Sequence, residues 1–190
     1  MSDNPSPAAT PVTNTTPHSV VKAQVSRLAK PWAISADGIQ FVADWEAFRA
    51  QLYDNDGAGH KGNTTIGYGH LVHLGPISGA ASETPFKKGM TKTDAADLLK
   101  KDLSDAERIV NEKVTVPLYQ YEYDALVDFI YNAHYHGVPL LEFVNKGQYA
   151  DVTKKLKEYN KAGGKVSKGL GHRRDSESDL FDNGNYDASH

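Results

Sequence analysis

The sequence contains no cysteine, which excludes disulfide bonds, thiolate metal ligands and a cysteine nucleophile. It has no apolar run that approaches the roughly 18 residues a transmembrane helix needs. The N-terminus lacks both a basic start and an apolar core, so it does not resemble a Sec-type signal peptide. We therefore expect a protein made in the cytoplasm, with no membrane span, that reaches any other compartment without Sec.

A strong net charge is also missing. The 21 Lys and Arg against 24 Asp and Glu give a formal charge of −3, which argues against general nucleic-acid binding. The charge is uneven, because residues 151–174 carry eight basic and only two acidic side chains. This segment is either a solvated helix face or a surface suited to an anionic polymer.

The first part of the chain has a low-complexity composition. Residues 1–33 are rich in Pro, Ser, Thr and Asn, so we expect a tail that forms no packed core. The folded domain is predicted to span 34–190 and to begin near Ser35, a residue type that caps helices. Apolar residues at helical spacing predict a first helix that continues to about Leu52.

Turn-forming residues follow this helix. Asp56-Gly57, Gly59 and Lys61-Gly62-Asn63 indicate turns, and Thr64 to Ile66 is typical of a strand. A small antiparallel sheet is therefore predicted. Residues 75–89 have no clear periodicity, and loops of that length are usually functional or mobile.

The second half of the sequence is predicted to be helical. Thr91 and Asp94 have the spacing of a capping box, and the apolar pattern from Ala95 to Val110 predicts one long amphipathic helix. Further helices are predicted at 119–133, 139–146, 148–160 and 170–182, with a break at Gly163-Gly164. The predicted fold class is α+β, mainly α, with a small β-hairpin lobe and a helical lobe joined by the long helix.

Two carboxyl groups and a threonine are candidates for chemistry. Glu46 stands between Trp45 and Phe48, and Asp56 follows in the turn segment. Burial raises the pKa of a carboxyl group while a wet loop keeps one ionised, so such a pair suits acid–base catalysis. Thr65 begins the strand that leads to Gly67, where a glycine lets substrate approach the backbone. Considered alone, a Glu in a helix and an Asp in a turn are more often a solvated charge and an Asx turn than a catalytic pair.

Several ordered motifs resemble one family. The segments "WEAF", "LYDNDGAGHKGNTTIGYGHLVH", "VPLYQYEYDALVDFIYN" and "GLGHRR" are similar to those of the phage-type lysozymes, the muramidases of bacteriophage endolysins. The usual form of that family is Glu, then Tyr-x-Asp, then Thr-Ile-Gly-x-Gly-His. The resemblance covers about residues 34–187 and implies a lysozyme-like fold.

The resemblance also implies an activity and its residues. The substrate would be peptidoglycan, cleaved at the β-1,4 bond between N-acetylmuramic acid and N-acetylglucosamine, with inversion favoured and no metal or cofactor. Glu46 would be the general acid, while Asp56 and Thr65 would position and activate water. The residues expected to bind substrate are Gly67, Tyr68, Asn132 and Arg174.

The sequence departs from the family pattern at three places. The position nine residues after Glu46, where the family has Asp, is Asn55. Matching "NDGAGH" selects Asp56 with a loop insertion, and Asp54 is the alternative. His134 stands where the family usually has Gly.

The two residues from the helical lobe each allow a second interpretation. Asn132 is either a cleft-facing amide or an amide satisfied within a helix interface. Arg174 either contacts substrate or Glu46, or forms a surface pair with Glu177 or Asp175.

Other classes of function remain open at this point. A zinc amidase would need three protein ligands, and although His60, His70, His73, His134 and His136 are present, the His-Glu-x-x-His pattern is absent. A non-catalytic peptidoglycan-binding module on a lysozyme fold is the main alternative. The expected setting is a phage endolysin or an effector injected by an apparatus such as type VI secretion, which acts on the cell wall in the periplasm. We expect a monomer that binds no nucleic acid or membrane, with a secretion-apparatus carrier or an inhibitory immunity protein as candidate partners.

Overall fold

The computed structural model describes residues 32–55 and 62–189. The chain divides into two compact units. The sheet unit runs from Ile39 to Ser104, and the helical unit combines the residues up to Gly38 with those from Asp105 onward. None of the described helices is long and apolar enough to cross a bilayer.

The sheet unit is built around a three-stranded antiparallel sheet in the order β1-β2-β3, with helix α2 packed on β2 and β3. Tyr53 pairs with Thr65 across β1 and β2, and Thr65 pairs with Leu71 across β2 and β3. Strand β2 is the most buried of the three, because it is central and α2 covers it. The elements of this unit are α1 (Ala36–Trp45, which starts in the helical unit), β1 (Arg49–Asn55), β2 (Asn63–Gly67), β3 (His70–His73), a 3₁₀ helix (Ala81–Phe86) and α2 (Lys92–Asp102).

The helical unit packs α4 against α7 and α6 against α7. Nine consecutive residues of α4, from Glu122 to Ile130, are buried, so this helix forms the centre of the unit. The elements are α3 (Ser104–Lys113), α4 (Gln120–Ala133), a 3₁₀ helix (His134–Leu140), α5 (Leu141–Asn145), α6 (Tyr149–Glu158), β4 (Lys161–Ala162), β5 (Lys165–Val166) and α7 (Lys168–Asn183).

The residues just before α1 are bound tightly to the helical unit. The Trp32 indole packs at 5.6 Å from the Tyr123 ring, and its backbone exchanges two hydrogen bonds with the side chain of Asn111. Trp32 is buried although it lies two residues before the predicted boundary at residue 34, and the point at which the domain begins stays a prediction. Ser35 caps α1 as predicted, because its hydroxyl accepts the Gly38 N–H at 2.9 Å.

Three predicted elements need correction. The first helix ends at Trp45, and residues 49–55 form strand β1, because antiparallel pairing with β2 overrides an apolar spacing that also suits a helix. The predicted long helix is two helices, with the break at buried Leu103. Ser104 and Asp105 supply the start signals of α3 there. The 75–89 loop contains the first 3₁₀ helix.

Other predictions agree with the structure. The capping box of Thr91 and Asp94 opens α2 with both of its hydrogen bonds. The predicted helices at 119–133, 148–160 and 170–182 match α4, α6 and α7, while 139–146 is split between the second 3₁₀ helix and α5. Gly163 and Gly164, both at positive φ, form the turn between β4 and β5.

Candidate functional site

Glu46 lies one residue beyond the end of α1, at the wall of a cavity. Its backbone N–H donates to the Ala43 carbonyl at 3.2 Å, which closes the last turn of the helix. The carboxyl-bearing residue is half-buried. The cavity of about 530 Å³ lies within the sheet unit and is lined by Gln40, Ala43, Asp44, Glu46, Phe48, Tyr68, Lys92, Thr93 and Ala96.

Aromatic rings form one side of this cavity. The Phe48 and Tyr68 rings pack at 5.4 Å between centroids, and the Lys92 ammonium lies 5.9 Å from the centre of the Phe48 ring. Burial, and secondarily the charge of Asp44, raises the pKa of the Tyr68 hydroxyl. Glu46 and Tyr68, predicted to be catalytic and substrate-binding, therefore share one cavity that has an apolar wall and a cation at its edge.

Thr65 and Gly67 occupy the central strand. The Thr65 hydroxyl donates to the Asn63 carbonyl at 2.9 Å, and its side chain is 2% exposed. Gly67 has a φ of +67°, which favours glycine, and a Cβ there would lie 2.9 Å from the sulfur of Met90, so that side chain would have to shift. These local constraints explain the glycine at position 67 without any contact with substrate.

The candidate water-activating carboxylates differ in what the structure shows. Asp56 lies outside the described residues. Asp54, the alternative, lies in β1, and its Oδ1 accepts the backbone N–H of Ile77 at 2.9 Å. Asn55, at the position where the family has Asp, is paired with Asn63 at the end of the strand. The Asp54 carboxylate therefore holds the loop that follows β3 in place.

Two histidines of β3 brace this part of the sheet unit. His70 Nδ1 lies 2.9 and 3.0 Å from the two carboxylate oxygens of Asp102, the last residue of α2. His73 Nε2 lies 2.9 Å from Glu83 Oε1, and its Nδ1 lies 2.9 Å from the Leu74 carbonyl oxygen. His60 lies outside the described residues. Among the residues that are described, no three His, Cys, Asp or Glu side chains form a group that could hold a metal ion.

Glu83 organises the loop of residues 75–89. It is buried, and its two oxygens accept the backbone N–H groups of Ser78 and Gly79 at 2.8 and 2.9 Å. The Ser78 N–H, the His73 ring and the Gly79 N–H hold the pKa of Glu83 at about 2. The Leu74 carbonyl and Glu83 raise the pKa of His73. Loop and strand are therefore joined by the contact between His73 and Glu83, which is an ion pair when the imidazole is protonated.

The helical unit brings Asn132 and Arg174 together. Arg174 Nη2 donates to Asn132 Oδ1 at 2.8 Å and lies 2.8 Å from Glu177 Oε1, and its guanidinium carbon is 5.1 Å from the centre of the Phe129 ring. Arg174 is 1% exposed. Arg174 therefore forms a buried ion pair with Glu177 and not the expected surface pair. Asp175, the other expected partner, pairs with Lys157 at 3.1 Å.

This ion pair belongs to a larger buried cluster. Arg173 is paired with Asp128, and its Nε also lies 3.6 Å from Glu177. Burial and the neighbouring Asp128 raise the pKa of Glu177, and the two guanidinium groups oppose that rise. Burial likewise lowers the pKa of Arg174. The Arg174 guanidinium is thus held in one position within a cluster of two guanidinium groups and two carboxyl groups.

Asn132 and Arg174 also line a second cavity, which lies entirely within the helical unit. Its volume is about 510 Å³. The residues that line it are Asn132, Ala133, His134, His136, Glu158, Tyr159, Lys161, Leu170 and Arg174. The two predicted substrate-binding residues of this unit are therefore neighbours at one cavity.

Sequence reasoning named Glu177 only as a surface partner of Arg174, and it missed Asp128, the burial of the cluster and the role of Glu83. A signal for the cluster was present, because Asp124, Asp128 and Asn132 recur every four residues on a helix that is otherwise apolar. Polar residues on one stripe of a buried helix must find partners. No comparable pattern marks Glu83, whose ligands are backbone groups of a loop.

Comparison with known proteins supports one family. The family model described as Phage lysozyme matches residues 43–177. The chain is 32% identical to the endolysin of Bacillus phage PZA over 80% of this chain, although it spans only 55% of that relative. It is 32% identical to the endolysin of Salmonella phage P22 over 68% of this chain and 85% of the relative. The muramidase domain of SpmX from Asticaccaulis excentricus is a structural neighbour with TM-score 0.63 and 29% identity, covering 78% of this chain and 96% of that one. The chain therefore belongs to the phage lysozyme family.

Proposed function

We propose that this protein is a peptidoglycan hydrolase, a muramidase that cleaves the β-1,4 bond between N-acetylmuramic acid and N-acetylglucosamine. The observation that carries the proposal is the match to the phage lysozyme family over residues 43–177, which includes every predicted site residue. The position of Glu46 at the wall of an aromatic-lined cavity supports it. The chain spans about half the length of the Bacillus phage endolysins that it matches, so the activity is proposed for this domain.

In the proposed reaction, Glu46 protonates the glycosidic oxygen and Asp56, with Thr65, positions the attacking water. Glycoside hydrolysis usually needs two carboxyl groups across the scissile bond. Glu46 lines the same cavity as Phe48 and Tyr68, which supports a carboxyl group that can reach a sugar bound there. Water attacks the anomeric carbon, the bond to the leaving oxygen breaks, and the proton of that water passes to Asp56. Inversion at the anomeric carbon is the expected outcome.

The sheet unit and the helical unit each hold residues that were predicted to bind substrate. Tyr68 offers a ring face to a sugar, and Asn132 and Arg174 offer polar groups to an acetamido or carboxyl substituent. The engagement of Asp54 with the Ile77 N–H supports Asp56 as the base, since Asp54 already has a partner.

The decisive experiment is digestion of purified peptidoglycan followed by mass analysis of the fragments, with Glu46→Gln and Asp56→Asn beside the wild type. We expect muropeptides with muramic acid at the reducing end from the wild type, and a loss of about 10²-fold or more in both variants. Asp54→Asn is the matched control, and it should keep most of the activity. Intact glycan strands after treatment with folded wild type would refute the hydrolase and leave a binding module. Full loss in Asp54→Asn alone would move the base to that residue.

The biological setting is part of the same proposal. The enzyme acts on the cell wall, as a monomer, either as an endolysin or as an injected effector with a carrier or an inhibitor as partner. Because the composition of residues 1–33 predicts a tail that forms no packed core, deletion of residues 2–30 should leave the activity of the purified protein intact. A large loss of lytic activity after this deletion would show that the segment contributes to the active enzyme.

A further inference from the structure

The loop that follows β3 presents apolar side chains to solvent. Leu74 is 76% exposed and Ile77 is 44% exposed, and Leu71, at 51%, precedes them on the strand. Among the described residues, three of the five large apolar side chains that are exposed therefore fall within a short stretch of the chain. Single exposed apolar residues need no explanation, but a cluster of them often marks a contact surface. We call residues 74–79 the apolar loop.

The N–H groups of residues 75–79 are all bound within the protein. Pro76 has no N–H, and each of the other four N–H groups in this range donates to a side chain. The acceptors are Asn63 Oδ1 at 3.0 Å for Gly75, Asp54 Oδ1 at 2.9 Å for Ile77, and Glu83 at 2.8 and 2.9 Å for Ser78 and Gly79. The Gly75 carbonyl is bound too, because it accepts the N–H and the hydroxyl of Thr64 at 2.8 and 2.9 Å. This loop can therefore leave water without leaving one of these donors unsatisfied.

The exposed charges near the apolar loop are positive. Residues 71–91 contain one acidic residue, Glu83, and it is 2% exposed and lies against His73. Lys87 and Lys88 are exposed, and neither forms an ion pair with a described residue. The solvent face of residues 71–91 thus combines aliphatic side chains with cations and offers no carboxylate.

Both ends of this stretch are fixed along strand β1. Asp54, near the end of β1, binds the Ile77 N–H, and the Ala50 carbonyl, near its start, accepts the Met90 N–H at 2.9 Å. Four residues of a strand span about 13 Å, so the two attachment points are close enough to meet one flat surface together. Helix α2, which packs on the same sheet, has three acidic and three basic residues and leaves the positive balance unchanged.

We propose that the apolar loop contacts the surface of an anionic phospholipid bilayer, with Leu74 and Ile77 at the boundary between headgroups and acyl chains and Lys87 and Lys88 near the lipid phosphates. A segment that enters this boundary needs apolar side chains and a backbone whose polar groups are already bound, and nearby cations strengthen its attraction to anionic lipids. A protein partner is disfavoured, because no backbone N–H of residues 75–79 is left for it to bind.

This contact goes beyond the proposed hydrolase reaction. None of the residues of the apolar loop lines the cavity at Glu46. The expectation that the chain binds no membrane followed from the lack of a spanning run, whereas a surface contact reaches only about 5–10 Å into the bilayer and needs no such run. Binding to a bilayer is measured without peptidoglycan, so the two proposals can fail separately.

The direct test is sedimentation of the whole chain with vesicles, made either of phosphatidylglycerol and phosphatidylethanolamine or of phosphatidylcholine alone. We expect the wild type to bind the anionic vesicles about tenfold or more tightly than the neutral ones. The double variant Leu74→Ser with Ile77→Ser should lose about tenfold or more in affinity, because each CH₂ group that enters a bilayer strengthens binding about fourfold. Val166→Ser is the matched control, since Val166 is 71% exposed but lies in the helical unit, and it should bind as the wild type does.

The basic residues are tested in the same assay. Lys87→Gln and Lys88→Gln should each weaken binding to the anionic vesicles about fivefold. Circular dichroism checks that every variant is folded. No binding of folded wild type to the anionic vesicles would refute the membrane contact and leave the apolar loop to a protein partner. An equal loss in Val166→Ser and in the double variant would refute it as well.

A second test reports which part of the protein meets the bilayer. Because the chain has no cysteine, Ser78→Cys provides a single site for a dye whose emission depends on its surroundings, and Val166→Cys provides the control. We expect a blue shift with anionic vesicles, and quenching by brominated lipids, for the dye at position 78 only. The same response at both positions would show unspecific adsorption and overturn the proposal.

Discussion

Replacing His134 by glycine should make the protein more stable. Among the described residues it is the one non-glycine residue at positive φ, and its φ of 50° with ψ of −145° costs a side-chain-bearing residue about 1–3 kcal/mol. The imidazole is exposed, so little packing is lost with it. Glycine offsets about 0.5–1 kcal/mol of this gain, because it loses more conformational entropy than other residues when the chain folds. The net gain in the free energy of unfolding is therefore about 1 kcal/mol.

The assay is thermal unfolding followed by circular dichroism, with urea unfolding as a second measure. For a protein of this size, about 1 kcal/mol raises Tm by about 2–4 °C. His136→Gly is the matched control, because this exposed histidine lies two residues later without a positive φ. It should lower the stability by about 0.5–1 kcal/mol. If both glycine variants lose stability to the same extent, the backbone of His134 is not strained and the reasoning fails.

Three further predictions concern charged groups. Arg174→Met should lower the free energy of unfolding in urea by about 3–5 kcal/mol, because Glu177 stays buried without its nearest cation. Removing the Glu177 carboxyl as well should recover part of this loss. Strictly additive effects of the two substitutions would contradict the pairing. Because the folded-state pKa of Glu83 is about 2 against an ordinary 4.5, its contribution to stability is present above pH 4.5 and is lost as the pH falls towards 2. The pKa of His73 is raised, so its contribution is complete below pH 6.5 and is lost as the pH rises through its folded pKa. After correction for intrinsic rates, amide exchange at residues 78 and 79 should therefore be slowest between about pH 4.5 and 6.5. Protection of these amides that does not change from pH 6 to pH 3 would refute the role of Glu83. His70→Asn should destabilise the protein by about 1–3 kcal/mol, because it takes away the partner of both Asp102 carboxylate oxygens, and a change below 0.5 kcal/mol would count against that bond.

Much of the fold could be predicted because apolar spacing on long helices is a strong signal. Helices α4, α6 and α7 were found close to their observed bounds for this reason. Strand β1 was missed because the apolar residues Phe48 and Leu52 also fit the helical period, and only the partner strand decides between the two. The break at Leu103 was missed because the apolar stripe runs on through it.

The family motif predicts which residues belong to the candidate site, and their roles stay predictions. Glu46 and Thr65 follow from their motif, and the structure places them after α1 and in β2. The burial of Arg174 was not predictable, because it depends on α4 and α7 packing closely enough to bring Asp128 and Asn132 to it. Whether Asp56 completes the catalytic pair stays a prediction.

The order in which the chain leaves the ribosome gives Asp124 a further consequence. Its carboxylate accepts the Ser35 hydroxyl, the Gln120 amide and the Tyr186 hydroxyl, so one side chain joins residues that are 151 positions apart in the sequence. The sheet unit is a continuous segment and can complete its own hydrogen bonds during synthesis. In the helical unit, Asp124 cannot bind all three partners until Tyr186 has left the ribosome. The helical unit is therefore completed later than the sheet unit, although its first residues are made earlier.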